Sequence, residues 1–199
     1  MAPGATWRAY RGPAVCCACV LAVAASAGAA GAPSPVVVKD PKDAVEGAPD
    51  ITRAQLGVTS QGRLRAAVTL ATGWVARNLL ARGDGPPGSV CLRLWTVTKP
   101  GAAPPDYLVC ATSHQDGETM RGTVFKAQPG QQLRRVASAT VGRTSDRTVT
   151  LRFSQSVVAR PRTIRFAAEA TKPGCARVSC VDTAPDAPKT MTFRLRGST

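Results

Sequence analysis

Histidine is nearly absent from this 199-residue chain, and His114 is the one copy. A nucleophilic triad would have to combine it with Ser113 and Asp116, yet triad members converge from separate parts of a fold, and three residues in one turn cannot reach that geometry. Residues 113–117 read instead as a polar hairpin loop. Acids are also scarce, 12 against 26 Lys and Arg. Most stand in turns, so no two are marked out as a glycosidase pair. A Gly-x-Ser-x-Gly elbow, a His-Glu-x-x-His helix and a phosphate-cradling glycine loop are all missing. These absences predict a protein that is not an enzyme. Long amphipathic helices are missing too, although residues 75–82 and 155–159 could each hold a helical turn.

What is present begins with an address. Arg8 and Arg11 lead into an uncharged apolar run over residues 13–25, and Ala25-Ser26-Ala27 and Ala27-Gly28-Ala29 both offer the small-x-small pattern of signal peptidase. Residues 1–32 are expected to be a signal peptide cleaved after Ala27 or Ala29, residues 33–49 a linker, and residues 50–199 one domain of a secreted, extracellular protein. A retained anchor is the rival reading. Against it stand the weakly hydrophobic Ala/Gly-rich second half and the lack of stop-transfer charges after Ala32. No membrane span is expected after cleavage.

Cysteine usage divides along the same line. Three of the seven, Cys16, Cys17 and Cys19, fall in the signal segment, and Cys91, Cys110, Cys175 and Cys180 remain as an even set suited to an oxidising compartment. Among the three connectivities, the local pairs Cys91–Cys110 and Cys175–Cys180 are favoured. A two-residue turn at Pro100-Gly101 would set Cys91 opposite Cys110, whereas a longer loop would take the pair out of register. A zinc site fails on spacing, since neither pair is C-x2-C and His114 stands away from both.

The formal charge of +14 becomes +12 once Arg8 and Arg11 leave with the signal, and 20 of the basic residues are Arg. An anionic partner is the sharp reading of such a balance; an Arg-for-Lys bias of GC-rich coding is the plain one. The arginines are spread over many segments rather than gathered in one run, so no specific nucleic-acid site is expected. Envelope polysaccharides or a protein partner fit better.

Period-2 alternation sets the fold class. Val149, Leu151 and Phe153 share one face of residues 148–153, Ile164, Phe166 and Ala168 one face of 162–170, and Met191, Phe193 and Leu195 one face of 190–196. Further strands are read over 51–59, 63–71, 90–98, 107–113, 119–127 and 134–142, separated by turn signals such as Ser60-Gln61-Gly62, Asp116-Gly117 and Pro129-Gly130. The pattern predicts an all-β antiparallel sandwich, immunoglobulin-like or jelly-roll, of about nine strands.

Two short motifs carry a resemblance. Lys39-Asp40-Pro41-Lys42-Asp43-Ala44 leads into Gly47-Ala48-Pro49-Asp50-Ile51-Thr52, and Cys180-Val181-Asp182-Thr183-Ala184-Pro185-Asp186 comes near the other end. The chain resembles secreted actinobacterial β-sandwich proteins that open on "D-P-x-x-D-A…G-x-P-D-I" and carry "D-x-A-P-D" before the last strand, similar in layout to DOMON and family-9 carbohydrate-binding modules. It departs from them at Cys91-Leu92-Arg93-Leu94-Trp95-Thr96, where such proteins often have an acidic strand ending.

Candidate sites follow from residue type. Asp40, Asp43, Glu46 and Asp50 could offer hard oxygen ligands to Ca²⁺, and Asp182 and Asp186 could complete such a site from across the fold. The competing reading has Asp40 and Asp43 capping turns and Asp50 fixing the entry to a strand. Trp74, Trp95 and Tyr107 are the large aromatics that could stack on a sugar, unless they plug the core. Trp95 lies out of phase with Leu92 and Leu94, which puts it beside Arg93 on the opposite sheet face. Two functions are therefore expected to compete: an interaction or structural module with an arginine-rich face, and a carbohydrate-binding module with a structural calcium ion.

Overall fold

Alternation that buries one side of each strand produces eleven strands among the described residues of the computed structural model, which are 33–44, 49–97, 104–128, 130–174 and 180–195. They are β1 (Val36–Lys39), β2 (Ile51–Val58), β3 (Leu64–Leu70), β4 (Ser89–Trp95), β5 (Tyr107–Ser113), β6 (Met120–Lys126), β7 (Arg134–Arg143), β8 (Thr148–Phe153), β9 (Thr163–Thr171), β10 (Val181–Ala184) and β11 (Met191–Arg194). Nine of these coincide with strands read from alternation. β1 lies in the segment read as a linker; its Val36-Val37-Val38 run has no alternation to reveal it. β10 is only four residues long. Single 3-10 turns form at Ala76–Leu79 and Gln155–Val158, where helical turns were expected. No helix among the described residues is long and apolar enough to cross a membrane. The expected signal segment and Cys175 lie outside the described residues.

Every strand pair is antiparallel, in the order β1-β2-β3-β8-β7-β6-β5-β4-β9-β10, with β11 also on β9. The expectation of a clear two-sheet sandwich is corrected by this path, which is one continuous sheet rolled until it is nearly closed, like a barrel. β7 makes the roll. Ala139 near its middle pairs with Gly122 of β6, the next residue, Thr140, pairs with Arg152 of β8, and the register shifts between Val124 and Phe125. One strand thus serves both halves of the sheet, as bulged corner strands do.

At the other side of the roll, β10 packs against β2 and β11 against β1. The backbone N–H of Ile51 donates to Asp182 Oδ2 at 2.6 Å and ties the two rims. One core fills the interior, with Leu56, Leu64, Leu92, Phe153, Phe166 and Phe193 almost fully buried in it. Burying each such side chain contributes roughly 1.5–3 kcal/mol.

The β4–β5 hairpin keeps the register expected of a two-residue turn although its loop is longer. Cys91 pairs with Cys110 and Leu94 with Tyr107, and the disulfide joins the two cysteines across a Cα separation of 4.0 Å. Asp106 holds the neck: its N–H donates to Leu94 O at 2.7 Å, and its carboxylate accepts from Thr96 N at 2.8 Å and Val97 N at 3.2 Å. Cys180 is disulfide-bonded as well.

The corner strand leaves no room between β6 and β7. A Cβ on Gly122 would collide with Ala139 O and meet Val141 Cγ2 at 2.7 Å. Gly122→Ala is therefore expected to destabilise the fold by about 1–3 kcal/mol, read as a lower denaturant midpoint at unchanged slope. An unmoved midpoint would show that the two strands can separate freely.

Candidate functional site

The outer face of β4 and β9 carries the first candidate site. Leu92 and Leu94 enter the core, and Trp95 stands on the opposite face beside Arg93, as the alternation requires. Trp95 is nevertheless only 7% exposed. The guanidinium carbons of Arg93 and Arg165 lie 5.4 and 6.0 Å from its ring centroid and cover it. Arg165 is the residue paired with Trp95 across the β4–β9 ladder. Arg93 also meets Glu169 at 3.6 Å. Burial pushes the Glu169 carboxyl above its ordinary range, and Arg93 offsets part of that rise.

A break in the sheet edge turns this face into a pocket. β10 pairs with the Ala168-to-Thr171 end of β9 and β11 with its Thr163-to-Phe166 end, so the two form one edge strand interrupted opposite Ala167. The interruption, Pro185 to Thr190, contains cis peptides before Pro185 and Pro188. Thr183 Oγ1 accepts the Ala187 N–H at 3.1 Å, and Asp186 O accepts the Lys189 N–H at 2.8 Å. The cavity so formed is about 100 Å³. Its floor is Arg93, Trp95, Arg165 and Ala167, and its wall is Pro185, Ala187, Pro188 and Lys189.

The second candidate is a carboxylate cluster in which the two sequence motifs meet. Asp40 and Asp43 follow β1, Asp50 precedes β2, and Asp182 lies on β10. Asp40, Asp43 and Asp182 each place an oxygen within 4.8 Å of the others. Ligand oxygens on a Ca²⁺ shell of about 2.4 Å radius are no farther apart than about 4.8 Å. Asp40 Oδ2 and Asp50 Oδ1 are buried without hydrogen-bond partners among the described residues. An all-carboxylate donor set of this spacing fits a hard cation.

Without a cation the cluster repels itself. The Asp40 carboxyl is raised from 3.8 to about 6, first by burial and then by Asp186, Asp43, Asp182 and Asp50. Asp182, 7% exposed, is also raised by burial, although the N–H groups of Ile51 and Thr183 pull it back.

A third feature is the outer face of β1, β2, β3 and β8. Lys39 stands opposite Arg53, and Arg65 stands opposite Arg152. Neither β1, β2, β3, β7 nor β8 contains an acid. Arg53, Gln55, Arg65, Thr69 and Thr148 line a shallow trough there, and Arg65 Nε is buried without a hydrogen-bond partner among the described residues.

The remaining sequence candidates have structural roles. Trp74 is buried in the core, donates its Nε1–H to Arg147 O at 3.2 Å and lies under the Arg143 guanidinium at 5.0 Å. Tyr107 is likewise a core residue. His114 Nδ1 sits 3.5 Å from Asp116 Oδ2 in an exposed turn. Asp116 accepts from Thr119 N and Glu118 N, which hold its carboxyl below the ordinary range. Sequence reasoning missed Arg165 and Lys189; the alternation that set Ala168 inward could have placed Arg165 outward, but the Pro185 loop has no periodicity to read.

No protein-family profile, curated protein or solved structure matches the chain.

The raised Asp40 carboxyl gives a pH dependence of fixed sign. Between pH 3.8 and about 6 the folded chain keeps a proton that the unfolded chain has lost, so stability falls as pH rises through that window. In chelator, the unfolding temperature should decline from pH 4 to pH 6.5, and Asp40→Asn should flatten the decline. An unchanged slope in Asp40→Asn would place the titrating group elsewhere.

Proposed function

We propose that this protein is a secreted, non-enzymatic binding module that holds anionic polymers of the cell envelope on the arginine-bearing outer face of β1, β2, β3 and β8. The observation that carries the reading is the placement of like charges directly opposite each other, Lys39 with Arg53 and Arg65 with Arg152. Such pairs are destabilising in an antiparallel ladder. A face that served the fold alone would do better with Thr or Glu at one member of each pair. A polyanion lying across the strands would turn that repulsion into attraction, and an acidic protein surface could use the same face. The covering of Trp95 by two arginines supports this reading over sugar stacking, which needs an open ring face. His114, in an exposed turn with Asp116, supports the non-enzymatic reading.

A second reading is favoured by one observation, the convergence of Asp40, Asp43 and Asp182. In it the protein is a carbohydrate-binding module of the kind its sequence resembles, and Ca²⁺ held by these carboxylates with Asp50 clamps the β1–β2 connection to β10. The ion would replace mutual repulsion with shared attraction and fix the rim of the sheet.

Retention of the protein on polygalacturonate, dextran sulfate and neutral dextran separates the readings. The first predicts retention on the two polyanions that is lost at high salt, and none on dextran. Arg152→Glu should weaken polyanion binding by about tenfold and at the same time raise folding stability by roughly 0.2–1 kcal/mol, because it converts a like-charge pair into an opposite one. Salt-resistant retention on dextran would favour the second reading. For the metal, Ca²⁺ at pH 7 should raise the unfolding temperature, as any ligand of the native state does, and Asp43→Asn should abolish the rise.

A further inference from the structure

We infer that the pocket between Trp95 and the Pro185 loop is a binding site for a carboxylate group carried on a short carbon body. It shares no lining residue with the trough on the β1-β2-β3-β8 face and does not depend on the polymer reading. Arg93, Arg165 and Lys189 line it, and Arg93 also engages Glu169 on the neighbouring strand at 3.6 Å. Among the described residues the lining itself carries cations and no acid.

Two of these cations are held in place. A guanidinium resting on an indole face has already given up much of its rotational freedom, so less is lost when an anion docks on it. Ala167, Ala187, Pro185 and Pro188 supply small apolar groups, and Thr183 and Thr190 complete the lining.

Size and donor count select the ligand. A 150 Å³ apolar cavity holds a benzene molecule, so a pocket of about 100 Å³ admits a carboxylate with two or three carbons and not a sugar ring. A planar carboxylate presents two oxygens that match a guanidinium fork. Phosphate is bulkier and tetrahedral, and Pro185 and Pro188 offer its further oxygens no N–H. A free short-chain acid and the terminal carboxylate of a longer chain share the same chemistry.

The probe is sodium propionate, titrated into the protein while the Trp95 indole N–H is followed by NMR and assigned through Trp95→Phe. Propionamide, phosphate and sodium chloride at matched ionic strength serve as comparisons. The expected result is a saturable shift with propionate, Kd on the order of 1 mM, and none with propionamide. Arg165→Gln and Lys189→Gln should each weaken binding by about tenfold, the loss of one charge-assisted hydrogen bond, with the Trp74 indole signal unmoved as the check on folding. Arg152→Glu should leave propionate binding intact, so failure of the polymer reading and failure of this site are distinguishable. Displacement of propionate by a peptide ending in glycine assigns a chain-borne carboxylate, and lack of displacement assigns a free acid. A shift reproduced by sodium chloride or propionamide, tighter binding of phosphate, or no saturation with propionate would overturn the proposal.

Discussion

The hydrogen bond from the Ile51 N–H to Asp182 is the contact on which the arrangement of this protein turns. It joins residues 131 positions apart and closes a sheet that the β7 corner has rolled only part of the way. Losing the carboxylate would leave a buried N–H without a partner, which costs about 1–3 kcal/mol before any loss of packing. The same bond fixes β10, whose end at Ala184 launches the Pro185 loop. The pocket over Trp95 thus owes its wall to a contact made on the inner side of the sheet. Closure also explains the carboxylate cluster. Asp182 accepts from Ile51 while it is drawn in beside Asp40 and Asp43, and burial, ahead of repulsion from Asp50 and Asp43, raises its carboxyl.

Charge is distributed so that repulsion collects at two places. Two strand acids, Asp182 and Glu169, stand inside the described sheet, and every other strand presents only basic or neutral side chains. The acids that remain in the turns are used locally, Asp106 at the neck of the β4–β5 hairpin and Asp116 within the β5–β6 turn. A chain carrying this much unbalanced surface charge needs a rigid frame, and the continuous core with the Cys91–Cys110 bond supplies it.

Much of the fold was legible in the sequence wherever one sheet face is buried and the other is wet. The alternation of Leu92, Leu94 and Trp95 placed the indole on the outer face correctly, and the symmetric spacing of Cys91 and Cys110 about Pro100-Gly101 gave the right register, which Asp106 holds at the neck of the hairpin. Uniform or very short runs escaped: β1 is all-apolar before Lys39, and β10 is brief. Closure of the sheet was out of reach because it depends on contacts between distant segments, β10 with β2 and β11 with β1, and on the Ile51–Asp182 bond. The two acidic motifs were visible separately, but only the roll of the sheet brings them together. Exposure was the least legible quantity. Nothing in the order of residues tells that Arg93 and Arg165 lie over Trp95 from adjacent strands.

The central claim is that the arginine ladder of β1, β2, β3 and β8 is the polymer-binding face. Backbone hydrogen exchange of the protein, measured with and without dextran sulfate, tests it most directly. The account predicts slowed exchange in β1 and β8 at the rims of the ladder, with the β5–β6 turn around His114 unchanged. Protection confined to that turn, or spread evenly over all basic segments, would contradict it.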